Sequence, residues 1–99
     1  MDVQTYVILF NLTDQGIKDI KQAPNRTEAA VKLIEAMGGK VLGLYAVMGE
    51  YDYVGIAEVP DDETCMSLLL TIGSLGSVRT KVLKAFPHKE FTKIVKKLK

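Results

Sequence analysis

Two runs of strand-forming residues, 41–48 and 51–59, are separated by Gly49 and Glu50 alone. So short a connection makes the chain fold straight back on itself. Gly in first place suits a type II′ turn, whose twist matches an antiparallel hairpin. The other elements are arranged around this hairpin.

Ahead of it, residues 5–12 read Thr-Tyr-Val-Ile-Leu-Phe-Asn-Leu, a strand buried on both faces. Thr13 is placed to cap one or two turns through Lys21, with Ile17 and Ile20 facing inward and Pro24 as the stop. Asn25 then reads as an N-cap, with Glu28 at capping-box spacing. Ala30, Leu33, Ile34 and Met37 follow at helical spacing, and Gly38-Gly39 closes the helix as a left-handed cap.

After the hairpin, Asp61 is the cap of a second main helix, and the acids of Pro60-Asp61-Asp62-Glu63 oppose the positive end of its dipole. Met66, Leu69, Leu70 and Ile72 supply its apolar side, and Gly73 and Gly76 end it. Residues 78–86 form a fourth strand. Pro87 opens a last helix with Phe91, Ile94, Val95 and Leu98 on one stripe and lysines off it.

The order is β-α-β-β-α-β plus a C-terminal helix. That is an α+β, ferredoxin-like plan with both crossover helices on one side of the sheet. Right-handed crossovers give strand order 4-1-3-2. The 99 residues have room for one core, so residues 1–99 form one domain.

Helices can cover only one face of such a sheet, yet both faces read apolar. Strand one presents Tyr6, Ile8 and Phe10 against Val7 and Leu9. Strand two presents Val41, Tyr45 and Val47 against Leu42, Leu44 and Met48, and strand three Tyr51, Tyr53 and Val59 against Val54 and Ile56. A sheet with one wet face alternates apolar and polar residues. The chain's own C-terminal helix can cover an edge; a second copy of the chain, packed face to face as a dimeric α/β barrel, covers the whole face and is the expected cover.

The charge balance is 13 basic against 12 acidic residues, a net +1, which points to neither nucleic acid nor membrane as a partner. Residues 87–99 hold five lysines and one glutamate, a net +4; the other 86 residues hold 8 basic and 11 acidic, a net −3. That tail reads as a solvated helix face or an anion- or partner-binding one. The lone Cys65 rules out an internal disulfide and reads as a small buried hydrophobe. No apolar run approaches the roughly 18 residues of a membrane span, and Met-Asp-Val-Gln-Thr has no basic leader region, so a cytoplasmic location is expected.

Candidate sites follow from taking strands one and three as running the same way. One end of the sheet then gathers Asn11, Glu58 and Arg79, with Asp14 beyond. The other gathers Thr5, Asp52 and His88, with Met48 and Tyr51. Arg79 either pairs with Glu58 or Asp14 or takes a carboxylate or phosphate, which its planar fork suits. Asn11 can add an amide to that grip. Asp52 either accepts backbone N–H groups or serves as a base or ligand anchor. His88 is a surface residue, or the partner of Asp52 in moving a substrate proton. No metal-ligand spacing or Gly-rich phosphate loop is present, so no metal or cofactor is expected. Tyr51-Asp52-Tyr53-Val54 superficially resembles a strand motif of RNA-recognition domains. Gly49 stands where a basic residue belongs, however, and Glu50 and Asp52 repel phosphate.

Gly49-Glu50-Tyr51-Asp52 resembles the motif that names the GYD-domain family, with Glu50 inserted into Gly-Tyr-Asp. The similarity extends through Asn11-Leu12-Thr13-Asp14-Gln15-Gly16, Gly38-Gly39, Pro60-Asp61-Asp62-Glu63, Val78-Arg79-Thr80 and Ala85-Phe86-Pro87. The resemblance implies a dimeric α/β barrel and no particular reaction. Two functions are consistent with these residues. One is a non-enzymatic, homo-oligomeric module binding a partner or a small, partly apolar anion through Arg79, Asn11, Tyr51 and Asp52. The alternative is a small cofactor-independent oxygenase or isomerase acting on a hydrophobic substrate, with Asp52 and His88 as its acid–base candidates.

Overall fold

A computed structural model describes residues 3–99; Met1 and Asp2, on which the reading of the N-terminus partly rests, lie outside the described residues. The strands are β1 (Gln4–Leu12), β2 (Lys40–Ala46), β3 (Tyr53–Val59) and β4 (Val78–Ala85). The helices are α1 (Asp14–Lys18), α2 (Ala23–Ala36), α3 (Asp62–Ser74) and α4 (His88–Lys96), with a 3₁₀ turn at Ile20–Gln22. The sheet order is β2-β3-β1-β4, the expected one. No described helix is long and apolar enough to cross a membrane.

Every neighbouring pair in the sheet is antiparallel, including β1 with β3. This corrects the strand directions read from the sequence. The crossover through α2 returns β2 parallel to β1, and the hairpin then turns β3 against both. The hairpin itself is present, but its connection is longer than two residues. The ladder ends at Ala46↔Tyr53 and the Val47 N–H donates to Asp52 O at 2.9 Å, so residues 47–52 form the loop.

The core lies between the sheet and helices α2 and α3. Tyr6, Ile8, Ala57 and Val59 cluster with Cys65, while Ile34, Leu68 and Ile72 form a second cluster joined by Val41 and Val78. Leu68 is 0% and Val59 1% exposed; burial at this level stabilises by about 1.5–3 kcal/mol per side chain. The inward stripe of α3 is therefore Cys65, Leu68 and Ile72, whereas Met66 and Leu70, expected inside, are 59% and 65% exposed. Apolar residues run almost all round this helix, so their spacing did not single out the buried side.

Thr13 caps α1, accepting from the Gly16 N–H, and Asp61 caps α3, accepting from the Thr64 N–H. Gly38, at φ +86°, closes α2. The start of α2 differs from expectation. Pro24 lies in its first turn, where a missing N–H costs nothing, and Asn25 donates to the Gln22 side chain instead of capping. Ile17 and Ile20 are exposed. The α1 turn instead presses backbone onto backbone: a Cβ on Gly16 would lie 2.2 Å from Ser77 O.

The second sheet face is apolar, as the alternation indicated. One row runs Tyr45, Val54, Leu9, Lys81 and the next Gly43, Ile56, Val7, Leu83. A bulge at Leu42, between Val41↔Ala57 and Gly43↔Ile56, changes the parity of β2. Leu44 therefore joins Val41 on the helix side, and Tyr45 moves to the open face. The α4 stripe of Phe91, Ile94, Val95 and Leu98 is exposed.

Candidate functional site

The antiparallel register gathers the expected binding residues at one end of the sheet. Asn11 pairs with Arg79 across β1 and β4, and Asp52 sits just beyond the Phe10↔Tyr53 pair. Glu58 belongs to the opposite end, paired with Thr5. Sequence reasoning had placed Glu58 beside Arg79 and Asp52 beside His88; the corrected strand directions exchange the two carboxylates. His88 begins α4 beyond the far end of β4, next to Phe91, with ring centroids 6.3 Å apart. Roughly 20 Å of sheet separates it from Asp52, so these residues form no acid–base pair.

Asp52 is half-buried and engaged. Its Oδ2 accepts the Leu12 N–H at 2.8 Å, and its own N–H donates to Phe10 O at 2.8 Å. The Asn11 amide donates to Glu50 O at 2.7 Å. Both side chains therefore latch the 47–52 loop onto the end of β1, and one of the two Asn11 amide N–H donors is used in doing so. Arg79 is exposed, and among the described residues no carboxylate lies within 4 Å of it, neither Glu58 nor Asp14. On the open face beside it, Lys81 lies over the Tyr51 ring, 5.8 Å from the centroid, a cation–π contact.

On the helix side of the same end, a cavity of about 340 Å³ opens between the sheet and α2, lined by Phe10, Leu33, Leu44, Tyr53, Ile72 and Arg26 among others. Sequence reasoning missed this feature. Its signal is the run of small residues Ala23, Thr27 and Ala30, which lie at i, i+4, i+7 along α2 and leave space under the helix.

A second cluster went unread at the other end. Tyr6 Oη donates to Asp62 Oδ1, and Lys84 Nζ reaches both Asp62 oxygens at 2.9 and 3.1 Å. Burial, then the hydrogen bond to Asp62, push the Tyr6 phenol well above its ordinary value. The Tyr6 hydroxyl and then the Lys84 ammonium hold the Asp62 carboxyl low. Tyr6 and Lys84 are cross-strand partners, so the triad clips the N-terminus of α3 to the sheet. Burial raises the Cys65 thiol, which makes it an inert core residue. Among the described residues no three His, Cys, Asp or Glu side chains come together to hold a metal ion.

The family model of the GYD domain matches residues 6–95. The chain belongs to the GYD domain family. A Thermus thermophilus protein named glutamine synthetase and cystathionine beta-lyase binding protein is 36% identical over 84 residues, covering 84% of this GYD domain and 88% of that relative. Among solved structures, a Mycobacterium tuberculosis feast or famine regulatory protein complexed with L-methionine superposes at a TM-score of 0.64 and 23% identity, over 85% of this chain. This chain spans only 50% of that longer protein. The 30S ribosomal protein S6 of Thermotoga maritima superposes at 0.62 with 16% identity, over 97% of this chain and all of that one. These two likenesses carry the ferredoxin-like fold and nothing beyond it.

Proposed function

We propose that this GYD domain is a non-catalytic, homo-oligomeric binding module that acts in the cytoplasm on a protein partner. The observation that carries the reading is the open face of the sheet. Two apolar rows, Tyr45-Val54-Leu9 and Ile56-Val7-Leu83, lie side by side with a basic corner at Arg79 and Lys81. A second copy covering the rows removes their apolar surface from water at about 25 cal/mol per Å². The corner is left at the edge of that contact, where Arg79 accepts a carboxylate of the partner in its planar fork.

The nature of the partner is proposed from the Thermus thermophilus relative, whose name gives it two enzymes to bind. The partner class is accordingly an enzyme of amino-acid metabolism with an acidic docking patch. An enzymatic role for the domain itself has less support, since Asp52 is committed to the Leu12 N–H and lies far from His88.

The test is surface plasmon resonance with purified glutamine synthetase and cystathionine beta-lyase as analytes. Saturable binding to at least one, weakened about ten-fold or more by Arg79→Glu, is expected. Absence of saturable binding to both would remove the partner assignment.

A further inference from the structure

The cavity under α2 is large for a domain of this size. It is a cleft open to solvent on one side, and its 340 Å³ is room for about eleven waters. Its walls are almost wholly apolar, with Phe10, Leu33, Leu44 and Ile72 contributing. Water in such a space finds few partners, so an apolar guest displaces it favourably.

Arg26 is the one charged residue among those lining it. Its Nη1 donates to Asp19 O at 2.9 Å and its Nη2 to Gly16 O at 3.2 Å. Both acceptors are neutral carbonyls at the end of α1, and together they hold the guanidinium in place. Two of its five N–H donors are thereby used and three remain. Among the described residues no carboxylate lies within 4 Å of it. A half-buried arginine thus stands in the lining of an apolar cavity, with no carboxylate among the described residues to pair with it. Arg79 also has no carboxylate within 4 Å among the described residues, but it stands exposed on the opposite face and does not line this cavity.

We propose that the cavity binds a small monocarboxylic acid with an apolar body, the carboxylate paired with Arg26 and the body against Phe10, Leu33, Leu44 and Ile72. The volume suits an aliphatic or aryl-alkanoic acid of about ten heavy atoms. The site lies within a single chain and does not rest on the partner reading or on the open sheet face.

Octanoate and its neutral counterpart octanamide test the site by isothermal titration calorimetry. Octanoate is expected to bind saturably, one per chain and about ten-fold or more tighter than octanamide. In Arg26→Met that preference disappears while octanamide binding stays. In the wild-type chain, methyl NMR is expected to show octanoate-induced shifts at Leu33, Leu44 and Ile72, and none at Leu9 or Leu83 on the open face. This second readout holds even if Arg26→Met loosens α1. Equal affinity for acid and amide, no saturable octanoate binding, or shifts centred on Leu9 and Leu83 would each overturn the proposal.

Discussion

The carboxylate of Asp52 takes the place of a backbone carbonyl for Leu12. Its Oδ2 accepts the Leu12 N–H at 2.8 Å, two residues past Phe10 of the last β1–β3 pair, and so carries the ladder beyond the end of β3. Removing it leaves a half-buried donor unsatisfied. Asp52→Ala is expected to lower stability by about 1–3 kcal/mol in urea unfolding. Asp52→Asn, which keeps an acceptor oxygen, loses less. An unchanged midpoint in Asp52→Ala would show that water replaces the bond without cost.

Arg79 behaves oppositely. It is exposed and among the described residues no carboxylate lies within 4 Å of it, so Arg79→Met breaks no ion pair there. Its effect on stability is expected to stay within about 0.5 kcal/mol, as for a surface change away from structural features. A loss well beyond that would assign Arg79 to holding the fold together, not to contacting a partner.

The Tyr6–Asp62–Lys84 triad makes stability depend on pH at both extremes. The folded Tyr6 pKa lies above its ordinary value of 10.0, because the neutral phenol is buried and donates to Asp62. Its contribution is complete below pH 10 and is lost as pH rises beyond it. The folded Asp62 pKa lies below 3.8, so its contribution is present above that value and is lost as pH falls through the acid range. Urea midpoints measured against pH are expected to fall on both sides of a neutral plateau. Tyr6→Phe removes the phenol's part of the alkaline fall, and Asp62→Asn flattens both limbs. An alkaline limb unaltered in Tyr6→Phe would mean that the phenol ionises as readily folded as unfolded.

Element order and strand order were legible because turn residues and apolar runs are local signals. Thr13, Asp61 and Gly38 each act where their side chains, or the lack of one, require. Strand direction is a global property. It follows from which strands the crossovers join, and reversing β3 moved Glu58 and Asp52 to opposite ends. The one mark of the bulge at Leu42 is the neighbouring Gly43, and strict alternation along the run ignores it, so the faces of Leu44 and Tyr45 were exchanged. Arg79, Asn11, Tyr51 and Asp52 do share one end, but what Asn11 and Asp52 do there depends on a loop backbone that residue types do not specify. The Arg26 cavity was hidden because its signal, the small residues Ala23, Thr27 and Ala30, reads equally as close helix packing, and their spacing does not say whether a neighbour fills the space they leave.

The proposed function has a second copy of the chain covering the open sheet face, and sedimentation equilibrium at micromolar concentration measures that assembly. Val54 lies on the open face, whereas Ile8 is 2% exposed in the core. The wild-type chain is expected at a mass of at least two chains of 10.9 kDa. Val54→Asp is expected to sediment as one chain with its circular dichroism intact, while Ile8→Asp unfolds. A wild-type chain that sediments cleanly at 10.9 kDa would show that no second copy covers this face.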